Sequence, residues 1–433
     1  MINHILSFLD KAFQHKWKTI LAISFFSSVL QFLLFDCRDQ ISEYLIVNTI
    51  YQNGLNGFSG WLGIFFYDGQ IYISQMGLHA FIFSLPAFLG VEPSSYYLWF
   101  LIISLTFLFF YIIISIAIEI KSLLNSTAAL FIVLLILVNP IFLLDAGNLY
   151  WIRFFYFVPF YYVLKFYGKI SIIKFYFYLL IILLVKFSIN FEYSSTIVMS
   201  CLIPIALKSK NNFLVTLKTI FQKGVCTFFI SIVSLSIIMS GLIINISLNG
   251  NKSATSLKDV VKSYAIGSSH KPHFLSYESR IKEWNGMYKE KMFNQEEDKI
   301  PNNEWDGVLK ARESYTGFKD MLKYINFAGK EAIFYSLQFI ICITISFLIV
   351  IYLFRKKTER VHLLYALVIA FLASISWVIL MPLHFYLHSI YWRGYSDIVL
   401  VFPFYSTIVI IFGYILEKKF FNSLILNSKV IPY

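Results

Sequence analysis

Long apolar runs constrain this chain more than any other feature. Residues 97–118, YLWFLIISLTFLFFYIIISIAI, form one of ten such segments. A helix of about 20 apolar residues crosses the hydrocarbon layer of a bilayer. A helix also satisfies its own backbone hydrogen bonds in lipid, and the alternation typical of barrel strands is absent. The sequence therefore predicts an all-α, polytopic membrane protein with about 10–12 transmembrane helices.

The polar stretches between these runs predict the organisation of the chain. The first outer loop mixes apolar and polar residues, which indicates interfacial helices, and a second outer loop carries nearly balanced charge and helical signals. Hydropathy places the spans near 18–35, 97–118, 127–144, 149–166, 175–190, 194–207, 225–247, 333–354, 361–381 and 397–416. The predicted parts are a cytoplasmic amphipathic lead (1–17), the first transmembrane helix (18–35), an outer loop with interfacial or re-entrant helices (36–96), a transmembrane bundle (97–247), a large soluble outer-face loop forming a small helical domain (248–332), C-terminal transmembrane helices (333–416) and a cytoplasmic tail (417–433).

Basic residues predict the orientation. The formal net charge of +12 is spread over short loops, which is typical of the positive-inside rule and not of a nucleic-acid-binding surface. If the basic loops are cytoplasmic, both termini lie inside. The five clusters are Lys11, Lys16 and Lys18; Lys165, Lys169 and Lys174; Lys208, Lys210, Lys218 and Lys223; Arg355, Lys356, Lys357 and Arg360; Lys418 and Lys419.

The segment 77–91 is apolar, short for a full crossing, and contains Pro86. Counting it as a further span would invert every later loop and place four basic clusters outside. We therefore expect it to be re-entrant or interfacial, or to be paired with another crossing.

Cysteine and histidine spacing does not indicate a metal site. The four cysteines, Cys37, Cys201, Cys226 and Cys342, show no CxxC spacing. His384 and His388 lie four residues apart, but no HExxH glutamate or nearby cysteine accompanies them. The sequence indicates no cofactor with certainty, and it leaves open whether the protein requires a divalent cation.

Three charges end the first apolar run in the stretch LLFDCRDQ (33–40). Asp36, Arg38 and Asp39 lie where the first span reaches the outer face. One interpretation is a simple stop at the water interface. The other is catalytic, because two carboxylates at the membrane surface can supply a general base while Arg38 orients them or lowers their pKa values.

A second polar stretch of the first outer loop is YDGQIYISQMGLH (67–79). Its Asp-Gly pair predicts a turn, and a connecting loop is the plainer interpretation. Carboxylate, amide and imidazole groups along one outer segment also fit a sugar-binding surface. The candidate residues are Asp68, Gln70, Gln75 and His79.

Cations on the outer side oppose the positive-inside bias and require partners. The partners are either structural, pairing Asp145 with Arg153 and Lys186 with Glu192, or an anionic ligand. The sequence leaves both open. Two stretches at the outer ends of spans contain these cations, DAGNLYWIRFF (145–155) and VKFSINFEY (185–193). Their candidate binding residues are Asn148, Trp151, Arg153, Lys186 and Glu192.

A third outer cluster lies in LMPLHFYLHSIYWRGYSD (380–397). Arginine presents a fork to phosphate oxygens, and aromatic rings stack on sugar faces. This stretch is therefore predicted to grip a phosphate. Its candidate residues are His384, His388, Trp392, Arg393 and Tyr395.

The chain resembles the GT-C superfamily of integral-membrane glycosyltransferases. The likeness lies in acidic residues directly after the first span, interfacial helices, many spans and a soluble outer domain. The stretches YISQMGLHAFIFS, GNLYWIRFFYFVPF and HSIYWRGYSDIVLVFPF are also similar to bacterial membrane proteins found near surface-polysaccharide genes. The resemblance implies a polyprenyl-phosphate sugar donor, a glycan acceptor and a base in the first outer loop.

Carried over to this chain, the resemblance assigns the base to Asp36 or Asp39, with Asp68 in reserve. Arg38, Arg153, Lys186 and Arg393 become candidates for the lipid-linked phosphate. The carboxylates are spaced as DCRD and not adjacent, which departs from the family pattern and leaves the choice of base open.

The expected function is inverting transfer of a sugar from a polyprenyl-phosphate donor to a surface glycan such as O-antigen. The expected location is the outer face of the bacterial cytoplasmic (inner) membrane. One alternative is an O-antigen polymerase, which would depend more on outer-loop arginines. A second alternative is a lipid-linked oligosaccharide flippase or other transporter, which leaves the large outer loop unexplained.

Overall fold

A computed structural model provides the structure of the chain. It describes residues 21–29, 66–67, 70–71, 77–90, 95–138, 146–149, 152–191, 193–209, 213–248, 333–355, 360–380 and 400–421. The predicted cytoplasmic lead, most of the first outer loop and nearly all of the large soluble loop lie outside these residues.

The described residues are almost entirely helical, as predicted. Pro86 lies inside the helix Leu78–Phe88 and Pro159 inside the helix Phe154–Phe166, and π-helical turns at Leu400–Tyr405 and Glu417–Phe421 flank the helix Ser406–Leu416. The helices are α1 (21–29), α2 (Leu78–Phe88), α3 (Ser95–Leu123), α4 (Ser126–Val138), α5 (Phe154–Phe166), α6 (Ile172–Ile189), α7 (Ser194–Ser200), α8 (Leu202–Lys208), α9 (Phe213–Leu248), α10 (Ile333–Arg355), α11 (Val361–Leu380) and α12 (Ser406–Leu416).

A short hairpin differs from the helices expected in the first outer loop. Strands β1 (Phe66–Tyr67) and β2 (Gln70–Ile71) pair antiparallel, with Phe66 opposite Ile71 and Tyr67 opposite Gln70. Asp68 and Gly69 lie between the strands in sequence, and Asp-Gly is a strong hairpin signal. The Asp-Gly turn signal therefore predicted the local structure here better than the mixture of apolar and polar residues that indicated interfacial helices.

Within the described part, four helices are long and apolar enough to cross a membrane. They cover Tyr96–Leu123, Ile172–Ile189, Phe213–Ile244 and Val401–Lys419. The described part is thus mostly helical and suited to a bilayer, as an all-α membrane protein would be, whereas the full number of spans stays a prediction. Shorter apolar helices cover Ser126–Ile136, Phe154–Phe166, Ser194–Lys208, Ile341–Leu353 and Val361–Trp377.

Aromatic side chains fill the centre of the helical bundle. The Phe157 ring lies 4.4 Å from that of Phe402 and 5.7 Å from that of Phe109, which joins α5 to α3 and to the turn before α12. In contrast, α9 exposes Phe221, Phe228 and Phe229 on its surface. A continuous exposed apolar face of this kind fits contact with lipid.

Polar contacts join the basic helix ends to one another. Lys169 forms an ion pair with Glu119 at 3.5 Å, and Lys208 Nζ donates to the Tyr167 carbonyl at 3.0 Å. The Tyr365 hydroxyl donates to the Phe213 carbonyl at 3.3 Å. The described residues 119–125, 165–169, 208–209, 213, 352–355, 360–365 and 414–419 therefore share one end of the bundle, which we term the basic end.

The opposite helix ends also meet. The rings of Tyr193 and Trp377 lie 5.4 Å apart, and Ser376 Oγ donates to Ser195 Oγ at 3.0 Å. We term this the polar end; its described residues are 79, 102–106, 146–149, 152–156, 186–191, 193–196 and 374–377. Four predicted site residues, His79, Asn148, Arg153 and Lys186, lie here.

Candidate functional site

Two buried cations share one tyrosine ring at the polar end. Arg153 and Lys186 are both 0% exposed, and Tyr156 is 3% exposed. Arg153 Cζ lies 5.3 Å from the centroid of the Tyr156 ring, and Lys186 Nζ lies 4.4 Å from it. Cations within about 6 Å of a ring centroid are attracted to its electron-rich face. We term Arg153, Tyr156 and Lys186 the cation cluster.

The positions of the cluster residues follow from the order of the helices. Arg153 directly precedes α5, and Tyr156 lies in its first turn. Lys186 lies in the last turn of α6. Because a short turn at the basic end joins these two packed helices, the beginning of α5 and the end of α6 meet at the opposite end. The two cations are thus neighbours despite their separation in sequence.

Asn190 holds the Lys186 ammonium group. Lys186 Nζ donates to the Asn190 carbonyl at 3.1 Å and to the Asn190 side-chain Oδ1. Asn190 is 0% exposed and follows the last residue of α6. A cation is favourable at a helix C-terminus, where carbonyl groups lack helical partners. The sequence analysis did not select Asn190, although Lys and Asn four residues apart at the end of an apolar run were the available signal.

His79 lies beside the cluster at the beginning of α2, outside the candidate spans. It is 2% exposed, and its ring makes an edge contact with Phe83 at 6.2 Å. Burial, and after it the positive charge of Lys186, lowers the pKa of His79 to about 3. The imidazole is therefore neutral at pH 7 and can donate one hydrogen bond and accept another.

Asn148 belongs to a tight turn packed on α3. A Cβ atom on neighbouring Gly147 would lie 2.6 Å from Thr106 Oγ1 and 2.8 Å from Ile102 Cγ2. Only glycine fits this close approach. Asn148 itself is 4% exposed, and its carbonyl accepts a hydrogen bond from the amide of Ile152 at 3.2 Å. The turn thus carries Asn148 to the polar end and fixes the backbone that leads to Arg153.

Two residues with unusual backbone geometry border the cluster. Among the described residues, the non-glycine residues with positive φ are Ile152 (43°) and Tyr193 (57°). A β-branched residue rarely adopts positive φ, and such conformations concentrate at functional sites. Ile152 immediately precedes Arg153, and the Tyr193 ring lies 5.7 Å from that of Tyr156. The fold therefore holds both residues in costly conformations next to the cations.

Tyr156, Tyr193 and Trp377 form an aromatic row beside the cations. Their successive ring centroids lie 5.7 Å and 5.4 Å apart. All three residues were absent from the predicted site. Each lies in an apolar or aromatic stretch of sequence where it resembles any other core residue, so no local signal distinguished them.

Most other predicted site residues lie outside the described part of the chain. Gln70 lies in β2, where its side chain is not described, and the proposed pairs of Asp145 with Arg153 and Glu192 with Lys186 remain predictions. The predicted residues outside the described ranges are Asp36, Arg38, Asp39, Asp68, Gln75, Trp151, Glu192, His384, His388, Trp392, Arg393 and Tyr395.

Charged side chains differ between the described parts of the two ends, whereas Asp145 and Glu192, which border the polar end in sequence, lie outside the described residues. The acidic residues within the described ranges are Glu119 and Glu417, and both lie at the basic end. The described part of the polar end therefore carries two cations. Within the same ranges, no three histidine, cysteine, aspartate or glutamate residues group as they would around a metal ion.

No family model, curated protein or solved structure shows a significant match to this chain. The architecture and the geometry of the cation cluster are therefore the observations that bear on function.

Proposed function

We propose that this chain is an integral-membrane glycosyltransferase similar to the GT-C superfamily. It would transfer a sugar from a polyprenyl-phosphate donor to a surface glycan acceptor, such as O-antigen, on the outer face of the bacterial cytoplasmic membrane. The observation that carries the proposal is the cation cluster, in which Arg153 and Lys186 are fully buried against the Tyr156 ring. Two cations buried together at the polar end of an apolar bundle favour an anionic ligand that enters from the lipid.

Burying two cations is costly unless hydrogen bonds and opposite charge compensate for the lost hydration. Removing a charged group from water costs several kcal/mol, and opposite charge with good hydrogen bonds repays it. A lipid-linked phosphate supplies that charge while its polyprenyl tail stays between apolar helices. Arg153 can bind two phosphate oxygens through its guanidinium fork, and Lys186 acts as a point charge. Ion pairs with Asp145 and Glu192 are the competing structural explanation.

The proposed reaction is a single displacement at the anomeric carbon. Asp36 or Asp39 takes the proton of an acceptor hydroxyl while that oxygen forms a bond to the anomeric carbon. The bond between that carbon and the phosphate oxygen breaks, and the configuration inverts. The polyprenyl phosphate leaves with two negative charges, which Arg153 and Lys186 stabilise. Arg38 and Arg393 are further candidates for this role, and the 248–332 loop would select the acceptor.

Surface-glycan composition tests the proposal. Cells carrying the wild-type chain should show an additional sugar per repeat by mass spectrometry. The variant with Asp36→Asn and Asp39→Asn, and separately Lys186→Met, should lose it at normal protein level. Lys174→Met is the matched control, because Lys174 is exposed at the beginning of α6 near the basic end. Full sugar addition by the double aspartate variant would refute the proposed mechanism.

A polysaccharide polymerase is the second candidate. The complete burial of Arg153 favours it, since that enzyme class would depend on arginines in place of a carboxylate base. In this case Arg153→Gln would shorten the glycan chains without changing the composition of the repeat. The same mass spectra, together with a gel of chain lengths, distinguish the two enzymes.

A further inference from the structure

Two basic loops that are distant in sequence meet at a tyrosine on the basic end. Tyr352 lies in the last turns of α10, Arg360 directly precedes α11, and Lys419 lies in the π-helical turn after α12. Arg360 Nη1 donates to the Tyr352 hydroxyl at 2.6 Å. Arg360 Cζ lies 5.2 Å from the centre of the Tyr352 ring, and Lys419 Nζ lies 5.6 Å from it.

The surroundings of this tyrosine carry further positive charge. Arg355 is exposed at the end of α10, and Lys418 Nζ lies 4.8 Å from the Tyr414 ring. The sequence adds Lys356 and Lys357 in the same connection, against a single acid, Glu359. Three helix ends thus bring together a strongly basic patch.

The acidic residues of the described ranges are engaged elsewhere. Glu119 pairs with Lys169 at 3.5 Å, and a Glu417 carboxylate oxygen accepts a hydrogen bond from the Thr127 amide at 2.9 Å. Like charges held near one another repel, and an external anion relieves that repulsion. The patch is therefore complementary to a negatively charged group.

An apolar surface adjoins the patch on α10. Phe347, Leu348 and Ile351 are 64%, 60% and 37% exposed, and they immediately precede Tyr352. An acyl chain can lie along these side chains while a phosphate reaches the cations. Basic pockets between membrane helices commonly bind anionic headgroups in this way. The adjoining apolar side chains favour a lipid over free phosphate.

We propose that Tyr352, Arg360 and Lys419 form a binding site for the headgroup of an anionic phospholipid. The guanidinium fork of Arg360 and the ammonium group of Lys419 bind the phosphate oxygens, and Tyr352 positions Arg360. This site lies at the end opposite the cation cluster and is independent of the proposed transferase activity.

Lipid retention by the purified full-length chain tests the site. Native mass spectrometry from detergent should show phosphatidylglycerol retained in preference to phosphatidylcholine. The R360Q/K419Q variant should retain about one phosphatidylglycerol fewer per chain. The control K174Q/K218Q loses the same charge from exposed positions on α6 and α9 and should retain lipid as the wild type does. Equal loss in both variants would overturn the proposal, because it would indicate general electrostatic attraction.

Two further measurements separate a site from a folding defect and lipid from free phosphate. The charge-preserving R360K/K419R variant should keep the preference for phosphatidylglycerol. Thermal unfolding of the wild type should shift upward with phosphatidylglycerol and not with inorganic phosphate at the same concentration. A wild-type chain that retains both lipids equally, or that phosphate stabilises equally well, would contradict a lipid site.

Discussion

Tyr156 is the residue on which the candidate site depends most directly. Its ring receives both Arg153 and Lys186, and its other neighbour is the Tyr193 ring. Contact with the ring adds an attraction to each cation that an aliphatic side chain would not supply, because the attraction requires the quadrupole of the ring. The tyrosine therefore allows two positive charges to approach one another inside an apolar bundle.

Replacement of Tyr156 tests this role. Tyr156→Leu should lower the free energy of unfolding by about 2–3 kcal/mol relative to Tyr156→Phe, since both cation contacts and aromatic packing are lost. Chemical unfolding in detergent micelles, followed by tryptophan fluorescence, measures the difference. If the Leu and Phe variants are equally stable, the ring does not stabilise the cations.

Asn190 offers a second test of the candidate site, because its side-chain oxygen accepts a hydrogen bond from the Lys186 ammonium group inside the bundle. Asn190→Ala should destabilise the chain by about 1.5–3 kcal/mol, the range for a hydrogen bond to a charged group. Asn190→Asp keeps an acceptor oxygen and adds opposite charge, so it should remain close to the wild-type stability. An alanine variant as stable as the aspartate variant would show that this hydrogen bond contributes little.

Among the helices, the junction of α4 with α12 shows how a connection at the basic end is fixed. Asn125 caps α4, because its Oδ1 accepts a hydrogen bond from the Ala128 amide at 2.9 Å. Its Nδ2 donates a hydrogen bond to the Tyr414 carbonyl oxygen at 3.2 Å. The Glu417 carboxylate accepts from the Thr127 amide. Negative charge at a helix N-terminus is favourable. Glu417, which follows α12, thus supplies a hydrogen-bond acceptor to the first turn of α4.

Gly413 allows this junction to close. A Cβ there would lie 2.9 Å from the Thr127 carbonyl oxygen and 3.0 Å from the Ala128 amide nitrogen. Because these are backbone atoms that cannot rotate away, Gly413→Ala should destabilise the chain by about 1–3 kcal/mol.

Gly224 provides the matched control for that substitution. A Cβ at Gly224 in α9 would lie 3.4 Å from a Leu202 methyl carbon, an ordinary contact. Gly224→Ala should therefore be neutral, or stabilising by up to about 1 kcal/mol through helix propensity. Thermal unfolding of both purified variants gives the comparison. If Gly413→Ala unfolds at the same temperature as Gly224→Ala, the close approach of α4 and α12 is not required.

The length of the short helix α2 bears on whether this segment crosses the membrane. Its 11 residues span about 16 Å, roughly half of the hydrocarbon layer. This length agrees with the expectation that 77–91 does not cross by itself. Whether α2 is re-entrant or interfacial stays a prediction.

Considering the whole molecule, the separation of basic and polar ends agrees with alternating spans. The five contacts that define the basic end join loops that the sequence predicts to be cytoplasmic. With the predicted orientation, the polar end would face the outside, where the proposed reaction requires it.

Cysteine accessibility tests this orientation. In a background with all four native cysteines replaced by serine, Tyr96→Cys should react with a membrane-impermeant maleimide in intact cells. Lys169→Cys should react only after permeabilisation. Both side chains are well exposed, at 87% and 59%. Labelling of both positions from the same side would contradict the alternation of spans.

The sequence by itself determined the class of the molecule and the location of its helices. Hydropathy is a local property, so long apolar runs predicted α3, α6 and α9 before any contact was known. It also selected His79, Asn148, Arg153 and Lys186, because polar groups beside apolar runs are conspicuous. The predicted topology already put these four residues on the outer side, and the tertiary structure showed that Arg153, Lys186 and His79 are neighbours.

The tertiary structure also supplied the residues that surround them. Asn190, Tyr156, Tyr193 and Trp377 are ordinary members of apolar or aromatic stretches in sequence, and their significance lies entirely in contacts. In sequence, the basic residues of the patch at Tyr352 belong to two separate loops. The packing of α10, α11 and α12 brings these loops together. Long-range contacts depend on how helices pack, which local hydropathy and charge do not specify.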